Sequence, residues 1–251
     1  KKIANTRIKN AKYYDHNFSK IKQIKIPPRI KNNKIVYHLY IIFAENRDQL
    51  YRYCLRKGIE AKVHYPTPIY LAALGPKMLG VGARLADGIA LNWCSIEQIA
   101  WSREIIKTEA EQSGRNPDEI KVVQYIRMCI DNDVDLARKA FIQSMLGYAL
   151  GSPNASPSEK RMGYRGHFER MGFSEELNKL DAMRSEGASQ EKLIDSFPDE
   201  LALKVGYFGK PEGAKSHFIK LSEGLDTAIV RVVAAKPEIN STKLVIDTCK
   251  P

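Results

Sequence analysis

A chain of 251 residues with 43% hydrophobic content carries enough apolar side chain for one barrel-sized core or two small domains, and neither its composition nor its length suggests disorder. A net charge of +11 ordinarily points to nucleic acid or an acidic membrane surface. Here residues 1–66 hold 16 Lys/Arg against 4 Asp/Glu while residues 67–251 hold 24 against 25, so the excess belongs to one segment and neither partner is expected. No window approaches the ~18 uninterrupted apolar residues of a membrane helix. The lysine-rich start lacks the apolar core of a signal peptide, so a cytoplasmic location is expected. Cys54, Cys94, Cys129 and Cys249 lie far apart with no CxxC pair, which predicts neither a metal site nor a disulfide framework.

Residues 1–18 predict a helix, with Ile3, Arg7, Ala11 and Tyr14 near one face. Pro27 and Pro28 break the chain. Residues 35–43 (IVYHLYIIF) are rich in β-branched and aromatic side chains and predict a strand. Asn46 is placed to cap a helix over 47–57, with Leu50, Tyr53 and Cys54 inward and Gly58 as its stop. Residues 60–65 then predict a short strand ending at Pro66. The segments VYHLY (36–40), RDQL (47–50), GIE (58–60) and VHYPTPI (63–69) resemble the C-terminal small domain of pyridoxal-phosphate-dependent nucleotide-sugar aminotransferases of the DegT/DnrJ/EryC/StrS group, over about residues 1–71. That resemblance brings no Schiff-base lysine segment, without which the internal aldimine of such enzymes cannot form, so pyridoxal phosphate is not the expected cofactor.

The stretch 68–95 organises the remainder. Residues 69–74 form an uncharged apolar run, Pro76 opens a helix-like segment, and a second run at 88–91 ends at Asn92. Strands this continuously apolar are covered on both faces, which predicts a parallel sheet. Ser95 is a predicted N-cap for a helix running to Ser113 with Gly114 as its stop. A strand at 120–130, a helix capped by Asp133, two helices beginning at Ser174 and Ser189, a third opened by Pro198, a helix from Pro211 to Leu221 and a strand at 227–233 complete the pattern. Residues 151–173 (GSPNASPSEKRMGYRGHFERMGF) predict a long mobile excursion; its Arg161, Arg165 and Arg170, with Tyr164, His167 and Phe168, make either a solvated loop or a phosphate-binding cluster. The pair Gly80 and Gly82 falls within the helix-like segment and is expected to serve packing, because it is not at a strand-to-helix turn.

Residues 69–79 (IYLAALGPKML), with ADG at 86–88 and GRNP at 114–117, resemble the luciferase-like family of flavin- or deazaflavin-dependent oxidoreductases, from about Pro68 to Pro251. The resemblance implies an α/β fold, the second half of a TIM-like (β/α)8 barrel with four parallel strands and their helices. A small α+β lobe at 1–67 would precede the half-barrel at 68–251. It further implies hydride transfer with FMN or coenzyme F420 and a small-molecule substrate. The cofactor would contact Ala73, Leu74 and Gly75 after the first strand and Asn92, Trp93, Cys94 and Ser95 after the second. A turn glycine at 75 and a plain cap at 95 are the alternative readings. No catalytic residue follows from the sequence.

The two resemblances overlap at Pro68, Ile69, Tyr70 and Leu71, and the chain begins with Lys1. The expectation is a join of two unrelated segments with upstream barrel strands missing. Such a chain would be truncated or chimeric, weak in cofactor binding, and prone to form a homo-dimer through an open sheet. An aminotransferase fragment and a catalytically inert fusion are the rival expectations.

Overall fold

The computed structural model describes residues 2–28, 35–63 and 68–250. The chain divides into two compact units, 1–67 and 68–251.

The first unit consists of α1 (Lys2–Phe18), β1 (Ile24–Lys25), β2 (Phe43–Ala44) and α2 (Arg47–Arg56), with β1 and β2 antiparallel. Ala11 is buried on α1. Tyr14 stacks on Phe18 at 5.8 Å and meets Tyr40 at 5.0 Å, and the Tyr40 hydroxyl donates to Asp15 Oδ1 at 2.7 Å. This aromatic cluster explains why the predicted strand at 35–43 does not form and only its last residue lies in β2. Tyr37 has φ 49°, which no strand accommodates, and Tyr40 is drawn onto α1. A strand needs a partner of similar length, and β1 has two residues. The predicted strand at 60–65 is also absent over 60–63; His64 and Tyr65, and with them Pro66 and Thr67 at the expected join, lie outside the described residues. The helix after Asn46 forms, but Asn46 enters it in the left-handed conformation (φ 53°) and makes no side-chain cap, while Gly58 ends it at φ 69°.

The second unit carries β3 (Tyr70–Ala72), α3 (Pro76–Leu85), β4 (Gly88–Asn92), α4 (Ile96–Gln112), β5 (Lys121–Ile130), α5 (Val134–Leu150), α6 (Pro157–Met162), α7 (Tyr164–Glu169), α8 (Ser174–Ser185), α9 (Gln190–Asp195), α10 (Asp199–Val205), β6 (Gly206–Gly209), α11 (Pro211–Leu221), β7 (Thr227–Val232) and α12 (Ile239–Cys249). All five strands run parallel, as the α/β reading requires. The four foreseen strands are β3, β4, β5 and β7. The fifth, β6, was not foreseen, and neither was α12. β6 is four residues long and follows α10 without a turn residue to announce it.

β5 is the spine of the sheet. β4 pairs with its first half, β6 with its second half on the same side, and β7 lies along the opposite side. Alternate side chains divide the sheet into two faces. Ile89, Leu91 and Val122 pack under α3 and α4 with Leu79, Ala83, Ile99 and Ile106. Further along, Ile126, Met128 and Ile130 pack under α11 and α12 with Ala214, Leu221 and Val245. The alternate residues, among them Tyr70, Tyr125, Arg127 and Arg231, lie on the other face, where Tyr70 and Tyr125 are 40% and 44% exposed. Gly82 lets α3 approach β4: a β-carbon there would come 2.9 Å from Ile89 Cγ1, which confirms the packing role of the glycine pair. At the N-terminal edge, Asp87 and Asp226 each precede a strand and accept a backbone N–H from its neighbour, Ile69 and Val122 respectively, both at 2.8 Å.

Residues 151–173 are not a loose excursion. Ser156 and Glu159 close a capping box that starts α6, and α7 is buried over Arg165, Gly166, His167 and Phe168. Phe168 and Phe173 join a core with Trp93, Phe141 and Leu177. The Arg165 side chain is 2% exposed and bonds Glu169 at 2.7 Å, Asp181 at 2.7 Å and Asn178 at 2.7 Å. Asp181 in turn meets Lys160 at 3.0 Å and Arg184 at 2.6 Å. Arg165 is thus neutralised internally, which corrects both sequence alternatives for it, while Arg161 and Arg170 are exposed.

Arg165 is accordingly predicted to resist trypsin while Arg161, which is exposed, is cut. Asp181→Asn removes the anion that three cations share and should lower the unfolding free energy by about 3 kcal/mol, measured in urea. Burial alone would raise the Asp181 carboxyl, but the bond from Lys160 and the charges of Arg165 and Arg184 outweigh it and hold it below the ordinary range. This stabilisation is present above pH ~3.9, the unfolded value, and is lost as the pH falls through the lower folded value.

Candidate functional site

Parallel α/β sheets present their sites where strands end at their C-termini. The ends of β3 and β4 lie side by side, tied by the Ala73 N–H donating to the Ala90 carbonyl at 3.2 Å. Ala73 is buried, and Leu74 and Gly75 are half-buried. Gly75 is the N-cap of α3 and has no side chain to cap it; a β-carbon there would meet nothing within 4 Å. Pro76 at the first helical position lacks an N–H. The α3 N-terminus therefore presents unsatisfied backbone donors beside open space.

The β4 end is built differently. Trp93 is fully buried and holds φ 58°, a left-handed conformation costing a bulky residue about 1–2 kcal/mol. Gln124 of β5 fixes the next peptide from both sides: its Oε1 accepts from the Cys94 N–H at 2.9 Å and its Nε2 donates to the Cys94 carbonyl at 3.1 Å. Ser95 is buried, and its Oγ accepts the Gln98 N–H at 3.3 Å as the N-cap of α4. The two helix starts are thus unlike: α4 is capped and sealed, α3 uncapped and open.

Asn92 bridges the site. Its Oδ1 accepts from Arg127 Nη1 at 2.6 Å and its Nδ2 donates to the Tyr164 hydroxyl at 2.7 Å. The Arg127 guanidinium lies 3.7 Å from the centre of the Trp93 ring and 5.4 Å from that of Tyr148, both within cation–π range. Burial lowers Arg127 to about 10, assisted by the positive charge of Arg231, so it is still a cation at neutral pH. His167 Nε2 donates to the Trp93 carbonyl at 2.8 Å and lies 3.6 Å from Cys94 Sγ. Burial pushes the His167 imidazole down to about 4, with Arg170 adding to the shift against the Trp93 hydrogen bond. Burial likewise pushes the Cys94 thiol up to about 12. Both groups are neutral at pH 7, so they are not an activated nucleophile and base. His167 Nδ1 and Trp93 Nε1 are buried without a partner among the described residues.

Of the seven residues expected to meet a cofactor, Leu74, Gly75 and Asn92 keep accessible surface while Ala73, Trp93, Cys94 and Ser95 are buried. Gln124, Arg127 and Tyr148 were missed by sequence reasoning. The signal for Gln124 and Arg127 was a polar side chain inside a largely apolar strand, residues 120–130, where it needs a partner; Tyr148 on α5 carried none. Among the described residues no group of three His, Cys, Asp or Glu is placed to hold a metal ion, and no helix is long and apolar enough to cross a membrane.

A family model described as luciferase-like monooxygenase matches residues 44–227, and one described as the DegT/DnrJ/EryC1/StrS aminotransferase family matches residues 1–84. The chain is 27% identical over 178 residues to the 5,10-methylenetetrahydromethanopterin reductase of Archaeoglobus fulgidus, covering 68% of this chain and 48% of that protein. Its N-terminal end is similar to an erythromycin biosynthesis sensory transduction protein of Saccharopolyspora erythraea, 31% identical over 62 residues, 25% of this chain and 17% of that one. Among solved structures, the coenzyme F420 dependent tetrahydromethanopterin reductase from Methanopyrus kandleri shares the fold with a TM-score of 0.54 at 22% identity, over 72% of this chain and 49% of that one. The chain spans about half the length of the curated reductases it matches.

The buried imidazole sets a pH dependence. The unfolded chain takes up a proton at His167 near pH 6.5, whereas the folded chain resists it down to about 4. Stability therefore falls as the pH drops through this window. The urea midpoint should be lower at pH 5 than at pH 7, and His167→Gln should reduce that difference. A thiol reagent at pH 8 should label Cys54, which is half-buried, while Cys94 and Cys129 react only after unfolding.

Proposed function

The chain belongs to the luciferase-like monooxygenase family, and from that premise we propose that residues 68–251 bind a flavin-type cofactor, FMN or coenzyme F420, for hydride transfer with a small-molecule substrate. The observation that carries this reading is the open, uncapped start of α3 at Gly75, next to the β4 end. A phosphate-bearing cofactor fits there: the free N–H groups of the first helical turn accept negative charge, and a residue without a β-carbon allows close approach of a planar or anionic group. The Asn92 amide, held between Arg127 and Tyr164, lies at the neighbouring strand end as a second polar contact. Trp93, Cys94 and Ser95 act behind this surface. They fix the turn that positions Asn92, and their burial keeps them from touching the cofactor directly. When bound, the cofactor supplies the hydride-accepting or hydride-donating ring; the chain binds it, orients it and excludes water.

The reductase from Methanopyrus kandleri is described as coenzyme F420 dependent, which supports a deazaflavin as one of the two cofactors to test. The match of residues 1–84 to the aminotransferase family favours a second reading for the first unit, as the small domain of a nucleotide-sugar aminotransferase. It supplies no lysine in the role that pyridoxal-phosphate chemistry needs.

Titration of the chain with FMN and separately with coenzyme F420, followed by cofactor fluorescence, should saturate with one of them. Gly75→Leu, whose β-carbon meets nothing within 4 Å in the folded chain, should weaken binding at least about tenfold by filling the approach. Ser95→Ala should lower stability by about 1 kcal/mol as a lost cap and leave binding unchanged. Absence of saturation with both cofactors up to about 1 mM, or indifference of binding to Gly75→Leu, would overturn the reading.

A further inference from the structure

Arg127 and Arg231 are paired across the sheet. They are register partners on the parallel strands β5 and β7, where side chains at paired positions project to the same face. That face is the one away from α11 and α12, because Ile126, Met128, Val230 and Val232 occupy the helix side. The proximity is felt electrostatically: after burial, the charge of Arg231 is the next cause lowering Arg127.

Neither arginine has an acidic partner among the described residues, although nine other Lys or Arg described in the second unit form ion pairs within hydrogen-bonding distance of a carboxylate. Arg127 is 3% exposed and Arg231 is exposed. Arginine does not lose its proton in proteins, so the pair carries two positive charges side by side, one of them out of water. Arg127 offers five N–H donors, of which Asn92 Oδ1 takes one. The Trp93 ring lies against it at 3.7 Å, with Tyr148 to one side at 5.4 Å, so the guanidinium is held in place by aromatic contact and by Asn92. Asn92, Tyr148 and Tyr164 around it are neutral, so they orient the guanidinium without discharging it.

We propose that Arg127 and Arg231 form an oxyanion site that binds the phosphoryl or carboxylate group of a small molecule. Arg231 receives the anion at the surface, and Arg127, held by Asn92 and against the Trp93 ring, offers its remaining N–H groups for bidentate hydrogen bonds. Burial of Arg127 limits the ligand to a small group. The site shares Asn92 with the proposed cofactor contacts, but its two arginines lie on β5 and β7 and its test uses no cofactor, so it can fail or hold independently of that reading.

The sequence holds two tryptophans, Trp93 and Trp101. A Trp101→Phe chain therefore reports from Trp93 alone, whose ring lies under Arg127. Titration of this chain with inorganic phosphate and, in a second arm, with acetate, at ionic strength held constant with sodium chloride, should give a saturable change in Trp93 fluorescence with at least one anion. Saturation by phosphate alone assigns a phosphoryl ligand, by acetate alone a carboxylate ligand, and by both the shared chemistry. Arg231→Met, at an exposed position, should weaken the response at least about tenfold and keep the far-UV spectrum of the parent; Arg231→Lys should restore part of it. Lack of saturation by either anion up to about 50 mM, or an Arg231→Met affinity within about twofold of the parent, would overturn the site.

Discussion

The two hydrogen bonds from Gln124 to the Cys94 peptide are the constraint on which the candidate site depends. They join the middle of β5 to the turn after β4, and that turn contains the left-handed Trp93. A bulky residue in that conformation persists only where its surroundings over-determine it. Here they do so three times: Gln124 pins the following peptide, His167 donates to the Trp93 carbonyl, and Phe141 and Phe168 pack the ring at 5.9 Å and 6.4 Å. With the ring fixed, Arg127 has a flat surface to lie on and Asn92 has its two partners. Gln124, on the helix-facing side of β5, satisfies its amide wholly within this clamp, so a buried polar side chain in an apolar layer adds specificity to the turn.

The sheet distributes its chemistry by face. The helix side is continuous apolar packing, interrupted by Gln124, while the opposite side bears tyrosines, arginines and an asparagine. Large residues flank small ones there: Gly88 lies under Tyr70, where a β-carbon would come 2.2 Å from the ring, and Gly206 makes room for Phe141. β6 is short for the same reason that it is useful. Its pairing with residues 127–130 occupies the edge of β5 beyond the end of β4, so the strand segment carrying Arg127 is bonded on both sides and its guanidinium is aimed by a rigid backbone. The N-terminal edge does the complementary structural work through Asp87 and Asp226, each accepting from a neighbouring strand.

The segment between α5 and α8 shows how composition misleads. Its glycines, serines, prolines and basic residues are those of a mobile loop, yet it carries the side chains that lid the β4 end. Arg165 looked like a candidate for phosphate because its carboxylate partners, Glu169 and Asp181, are acids of ordinary helical sequence with nothing to mark them as its own. Polarity in a sequence says that hydrogen bonds must be made; it does not say with whom. In the first unit the error ran the other way. A run of β-branched and aromatic residues at 35–43 has the composition of a strand, but pairing needs an edge of matching length and the aromatic rings found a helix instead.

What the sequence determined by itself was local. Helices begin at Ser95, Asp133 and Ser189 because a side-chain oxygen caps an N–H three residues away, and helices end at Gly58, Gly114 and Gly224 because those residues adopt positive φ. The four principal parallel strands follow from apolar runs bounded by such signals, and the motif wording of residues 69–117 carried the family. The division of the candidate residues into open and sealed was decided only in three dimensions. Gly75 and Ser95 both precede helices; Ser95 caps its own start, but the burial of the β4 end around it comes from Gln124 and His167, while the Gly75 start faces open space. The Arg127 and Arg231 pair is the extreme case. Each is one arginine in a strand, and what makes them neighbours is the register of β5 against β7, which is set by the packing of two whole layers and by no signal near either residue.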